Sequence, residues 1–98
     1  MNLSDLRRRI DEIDKKLVEL LSERSNCALE IGKLKHEAKM PLYQPEREKD
    51  VLNHVASINK GPLTNAASRR LFERIIDEAR SAERLAMHRE PPSEETKK

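Results

Sequence analysis

The sequence is short of nearly everything that builds a self-sufficient interior. Of its 98 residues only Tyr43 and Phe72 are aromatic, tryptophan is absent, and hydrophobic residues make up 36%. The side chains that bury most area are therefore scarce. A domain of this length is left with a thin core, which implies that a partner chain supplies part of the burial. Cysteine is down to Cys27 alone, so no disulfide can close within the chain and a reducing compartment is expected. No stretch approaches the roughly 20 apolar residues that span a bilayer. The opening Met1-Asn2-Leu3-Ser4-Asp5-Leu6-Arg7-Arg8-Arg9 leads into no apolar run of signal-peptide length. These absences point to a cytoplasmic protein with no membrane role. An excess of one charge is missing too, since 20 Lys+Arg stand against 18 Asp+Glu. That near-balance gives no polybasic field for nucleic acid or anionic lipid. His36, His54 and His88 are too scattered to form a ligand-spaced set, so no metal is expected.

What is present is helical periodicity. From Leu3 the apolar residues recur at Leu6, Ile10, Ile13, Leu17, Leu20, Cys27, Ile31, Leu34 and Ala38, in steps of three and four that predict one continuous helix from Ser4 to Ala38. Such a helix is on the order of 50 Å long, whereas a compact globule of this size is about 33 Å across. It must protrude and bury its seam against something, and a second copy of the chain is the simplest partner. Pro41 and Pro45 bracket a short loop, and Pro45 suits the first turn of a second helix that runs to about Asn59 before Gly61-Pro62. Thr64 or Asn65 can cap a third helix, whose apolar face is Leu71, Phe72, Ile75, Ile76, Ala79, Ala82 and Ala86. The expected architecture is all-α: three helices per protomer, the first unusually long, in an intertwined helical homodimer. Residues 1–88 form the domain, and 89–98, without apolar content, read as a disordered polar tail.

Several charges interrupt these apolar faces. Arg24 takes the seam position between Leu20 and Cys27, Arg7, Asp14 and Lys35 lie beside the seam, Gln44, Arg47 and Glu48 fall on the face of helix two, and Glu83 follows Ile76 and Ala79 at helical spacing. Burying ions costs several kcal/mol each unless partners satisfy them, so these groups either pair with one another or wait for a ligand. Plainer readings exist for each. A polar residue in a coiled-coil seam fixes register, which suits Arg24. Arg7 and Lys35 suit rim salt bridges, and Asp14 suits a structural pair with Arg7 or Arg24 on a neighbouring helix. Glu48 is favoured in a first helical turn by the dipole alone. Cys27 reads as a small buried hydrophobe.

The order of these residues closely resembles the all-helical, type II chorismate mutases. The resemblance covers Leu3 to about Met87 and rests on Leu6-Arg7-Arg8-Arg9-Ile10-Asp11-Glu12-Ile13-Asp14, Leu20-Leu21-Ser22-Glu23-Arg24, Ile31-Gly32-Lys33-Leu34-Lys35, Pro45-Glu46-Arg47-Glu48 and Leu71-Phe72-Glu73-Arg74-Ile75-Ile76. It implies long first helices paired across a dimer, with two shared sites that each borrow Arg7 from the partner while Arg24, Lys35, Arg47, Glu48 and Glu83 come from one chain. It also implies a cofactor-free [3,3] rearrangement of chorismate to prephenate in aromatic amino-acid biosynthesis. The arginines would grip the substrate carboxylates through paired hydrogen bonds. Lys35 and Glu83 would flank the ether oxygen as it gains charge, and Glu48 would accept the ring hydroxyl. Glu83 can donate only when protonated, which predicts a preference for mildly acidic buffer. The chain departs from some members at Gln44, where they carry Asp, and at Ala79, where they carry Ser; the second change removes a possible donor to the substrate. Competing readings are an isochorismate-pyruvate lyase on the same fold and a non-catalytic helical dimerisation or regulatory module.

Overall fold

The structure, a computed structural model, describes residues 1–88. Among them are three helices and no strand: α1 (Leu3–Glu37), α2 (Pro45–Ile58) and α3 (Asn65–His88). The polar tail expected at 89–98 lies outside the described residues.

The ends of α1 show why so long a helix starts and stops where it does. Asn2 builds a capping box with Asp5: its side chain accepts from the Asp5 N–H at 2.8 Å, and the Asp5 carboxylate accepts from the Asn2 N–H at 3.5 Å. Two otherwise orphaned donors are satisfied, and the helix begins one residue before the expected Ser4. At the other end the Lys39 N–H donates to the His36 carbonyl at 3.1 Å and the Met40 N–H to the Lys35 carbonyl at 2.8 Å, the paired closure usual when the residue past the cap turns left-handed. That residue is Lys39, at φ 58°, where a side chain beyond glycine is strained by about 1 kcal/mol. Replacing Lys39 with Gly is therefore expected to add about 0.5–1 kcal/mol of stability. The gain should appear as a higher urea midpoint at unchanged slope; a midpoint that stays or falls contradicts it.

Pro45 opens α2 as its fixed φ suggests, but Gln44 before it makes no side-chain cap and donates instead through Nε2 to the Pro41 carbonyl at 3.1 Å. Asn59 organises the turn into α3. Its Nδ2 donates to the Leu63 carbonyl at 2.8 Å and to Asn65 Oδ1 at 2.9 Å, while its Oδ1 accepts from the Gly61 N–H at 3.1 Å. Gly61 sits at φ 80°, a backbone region that favours glycine. Of the two expected caps for α3, Thr64 is the one used, its Oγ1 accepting from the Ala67 N–H at 3.0 Å.

In the tertiary arrangement α3 packs on both other helices, while α1 and α2 do not pack on each other. The radius of gyration is 17.2 Å and the extents are 52 × 36 × 15 Å, against about 13 Å for a compact chain of this length. The longest dimension is the length of α1, at about 1.5 Å per residue. The thinnest leaves little room to enclose a side chain, and only Gly32, Val55, Ala56, Ser68 and Glu83 are buried among the described residues. The seam of α1 stays open: Leu6, Ile10, Ile13, Leu17, Leu20, Ile31 and Leu34 are 41–64% exposed. Two expectations for this face do not hold within the protomer. Cys27 is exposed rather than buried, because nothing in the same chain packs over the middle of the seam. Asp14 is likewise exposed and makes no ion pair among the described residues.

Candidate active site

A cavity of about 310 Å³ opens where the C-terminal half of α1, the start of α2 and the second half of α3 meet. That volume falls at the lower end of the range for small-molecule sites. Of the eight residues that the resemblance brings to the site, seven line it: Arg24, Lys35, Gln44, Arg47, Glu48, Ala79 and Glu83. Arg7 does not. It is exposed on the first turns of α1, seventeen residues and therefore about 25 Å along the helix from Arg24.

Each helix contributes for a local reason. The approach of α1 to α3 depends on Gly32, where an added Cβ would stand 3.0 Å from Glu83 Cγ and 3.3 Å from Glu83 Oε1. The absence of a side chain at 32 is what lets the Glu83 carboxyl lie against α1, one turn from Lys35. Lys35 Nζ is 3.7 Å from Glu83 Oε1, an ion pair but too long for a hydrogen bond, and it donates to the Leu42 carbonyl at 2.9 Å. Both side chains are largely buried. Glu83 Oε1 is buried with no hydrogen-bond partner among the described residues. Leaving such an atom unsatisfied costs about 1–3 kcal/mol, and the cost is recovered when a ligand supplies the missing bond.

Sequence reading missed Arg80. It follows Ile76 by one turn and its guanidinium engages three elements at once. It forms an ion pair with Glu48 on α2, bonds Asp77 Oδ1 at 2.8 Å on its own helix, and lies 5.0 Å from the Tyr43 ring centroid in the α1–α2 loop. The cavity is thus lined by four cations, Arg24, Lys35, Arg47 and Arg80, and two carboxylates, Glu48 and Glu83. Such a balance favours an anionic ligand, and apolar walls from Ile31, Val51 and Ile76 suit a hydrocarbon ring. Ala79 offers no hydrogen bond. Among the described residues no three His, Cys, Asp or Glu side chains cluster as metal ligands, and no helix is long and apolar enough to cross a membrane.

The chain is thus an all-helical protein with an open first-helix seam and a cationic cleft built around a buried Lys–Glu pair. The chain belongs to the chorismate mutase type II family, whose model matches residues 6–84. It is 47% identical over 79 residues to the bifunctional chorismate mutase/prephenate dehydratase of Pseudomonas aeruginosa, a match covering 76% of this chain and 22% of that protein. The chain therefore spans about a fifth of that relative's length. A chorismate mutase structure from Thermus thermophilus superposes with a TM-score of 0.82 at 33% identity, covering 84% of this chain and 93% of the other. A chorismate mutase from Helicobacter pylori in complex with prephenate superposes at 0.80 with 28% identity, covering 87% and 92%.

Proposed function

We propose that the chain is a chorismate mutase, an isomerase that converts chorismate to prephenate by a cofactor-free [3,3] rearrangement in aromatic amino-acid biosynthesis, acting as a cytoplasmic homodimer with two shared sites. The observation that carries the reading is the buried Glu83 carboxyl, paired among the described residues with Lys35 alone and facing a cavity otherwise rich in cations. A concerted rearrangement needs no nucleophile or electron carrier. It needs the enolpyruvyl arm held over the ring, and such orientation can lower a barrier by about 7–11 kcal/mol. Arg24 and Arg47 supply fork-shaped donors for carboxylates. Lys35 supplies a donor that strengthens as the ether oxygen gains charge, and the Glu83 carboxyl supplies a second whenever it carries a proton.

The dimer follows from the open seam. Burying the exposed portions of seven Leu and Ile side chains on each of two chains is worth on the order of 15 kcal/mol. That is enough to offset an association cost of about 4–15 kcal/mol. Antiparallel pairing of two first helices would bring Arg7 of one chain toward the cavity of the other, which the chain's own geometry denies it. The test is to give the purified protein chorismate and isochorismate separately while measuring its mass by sedimentation. Prephenate should form from chorismate at the mass of two chains. Faster pyruvate release from isochorismate overturns the reaction, and full activity at the mass of one chain overturns the shared site.

A further inference from the structure

Arg80 stands in the cavity without a part in the reaction as described, and its surroundings indicate what it does. Its three contacts use different parts of one guanidinium: Nη1 meets Glu48 Oε2, Nη2 meets Asp77 Oδ1 at 2.8 Å, and the planar group lies 5.0 Å from the Tyr43 ring centroid. The Arg80 side chain is 20% exposed and that of Glu48 25%, so the pair is shielded from the screening that makes surface ion pairs nearly worthless. Asp77 holds the guanidinium from its own helix. Tyr43 limits its position from the loop, in the manner of an arginine against an aromatic ring. The fork is thereby fixed before it reaches Glu48. Glu48 itself sits in the first turn of α2, and its side chain has no other hydrogen-bond partner among the described residues. Without Arg80 its carboxylate would be free to change rotamer.

We propose that Arg80 is a positioning residue for ligand recognition. It pins Glu48 through Oε2 and leaves Oε1 in a fixed place to accept a hydrogen bond from a hydroxyl on the ring of the bound substrate. The proposal rests on the mutase reading, in which the substrate carries such a hydroxyl. It adds a specificity element built from α2, α3 and the loop, separate from the Lys35–Glu83 pair at the breaking bond.

A hydroxyl that does not react is held alike in the ground state and the transition state, so loss of its ordered acceptor raises KM and leaves kcat nearly unchanged. A residue that only supports the fold behaves differently, since partial unfolding removes active molecules and lowers apparent kcat at constant KM. The experiment measures both constants for chorismate with the dimeric wild-type protein, Arg80→Met, Glu48→Ala and the double variant. Arg80→Met should raise KM about tenfold with kcat within about threefold, the scale of one hydrogen bond to a charged group. In the Glu48→Ala background, where no carboxylate remains to be positioned, the same change should raise KM by less than about threefold. Arg80→Lys, which keeps the charge but not the fork or the flat face, should recover part of the loss. If Arg80→Met does not assemble, Arg80→Lys carries the test at smaller amplitude, about threefold in KM and again absent in the Glu48→Ala background. An unchanged KM, or an equal rise in both backgrounds, overturns the proposal while the mutase reading stands. A wild-type protein that leaves chorismate untouched overturns both, and that failure shows before any variant is made.

Discussion

Mixing Arg7→Ala and Arg24→Ala proteins, each nearly inactive alone, is expected to restore about a quarter of wild-type activity once subunits have exchanged, since random pairing puts half the chains in mixed dimers with one intact site in two. The expectation comes from the reach of one helix. Arg7 and Arg24 share α1 at a separation of about 25 Å, so they cannot serve one small ligand from the same chain. Removing either arginine from a shared site leaves a substrate carboxylate without its fork of donors. A loss of about a hundredfold or more in kcat/KM is expected for each homodimer, the usual scale for truncating one side of a desolvated charge pair. In the mixed dimer one site lacks both arginines and the other lacks neither. Exchange is checked independently by mass-tagging one variant. If tagged heterodimers form and activity stays at the level of the parents, Arg7 does not complete the partner's site.

The second large effect concerns the hydrogen-bond donor at position 83. Glu83 Oε1 lies buried without a hydrogen-bond partner among the described residues, and the nearest charge is Lys35 Nζ at 3.7 Å from α1. Arg24 from α1, Arg47 and Glu48 from α2, and Arg80 from α3 line the same cavity. An ether oxygen only accepts, and a carboxyl donates to it only while it carries its proton. Glu83→Gln supplies an amide donor at the same place and should retain the reaction, whereas Glu83→Met keeps the length of the side chain, removes the donor and should lower kcat by about a hundredfold. Equal rates for the two variants, with both checked for intact helix content by circular dichroism, would remove Glu83 from the donor role.

Much of the fold was legible because it is written in spacing. The three-and-four rhythm from Leu3 to Ala38, interrupted only at Arg24, gives α1 to within a residue at each end, and Pro45 and Thr64 mark the next two starts through backbone chemistry that depends on no partner. The cavity lining was legible for a related reason. A charge at a position reserved for an apolar residue is conspicuous, and Arg24, Glu48 and Glu83 are all such positions, while Lys35 beside the seam is picked out by the resemblance. Arg80 was not, because it lies beside the apolar stripe of α3 in a chain with 20 Lys+Arg, and nothing in its spacing separates it from a solvated arginine. Its role depends on Tyr43 and Glu48, which are distant in sequence. Gly32 carries a faint signal of its own: glycine inside a helix costs about 1 kcal/mol relative to alanine, so its presence asks for a close neighbour, and Glu83 is that neighbour. Cys27 and Asp14 stand uncovered in the single chain because periodicity reports which face is apolar, not which chain covers it.

Only five of the described residues are buried within the protomer, and Glu83 is one of them, seated against another, Gly32. In most domains the interior and the working site are separate, so one can drift while the other is held constant. Here the acid at the centre of the cleft is also a contact that joins two helices. A larger side chain at 83 would press on the backbone of α1 at Gly32, and one at 32 that adds even a methyl would push the Glu83 side chain aside. In the proposed site, new substrate preferences are thus more accessible through the exposed Arg47 than through the centre, where chemistry and architecture would use the same atoms.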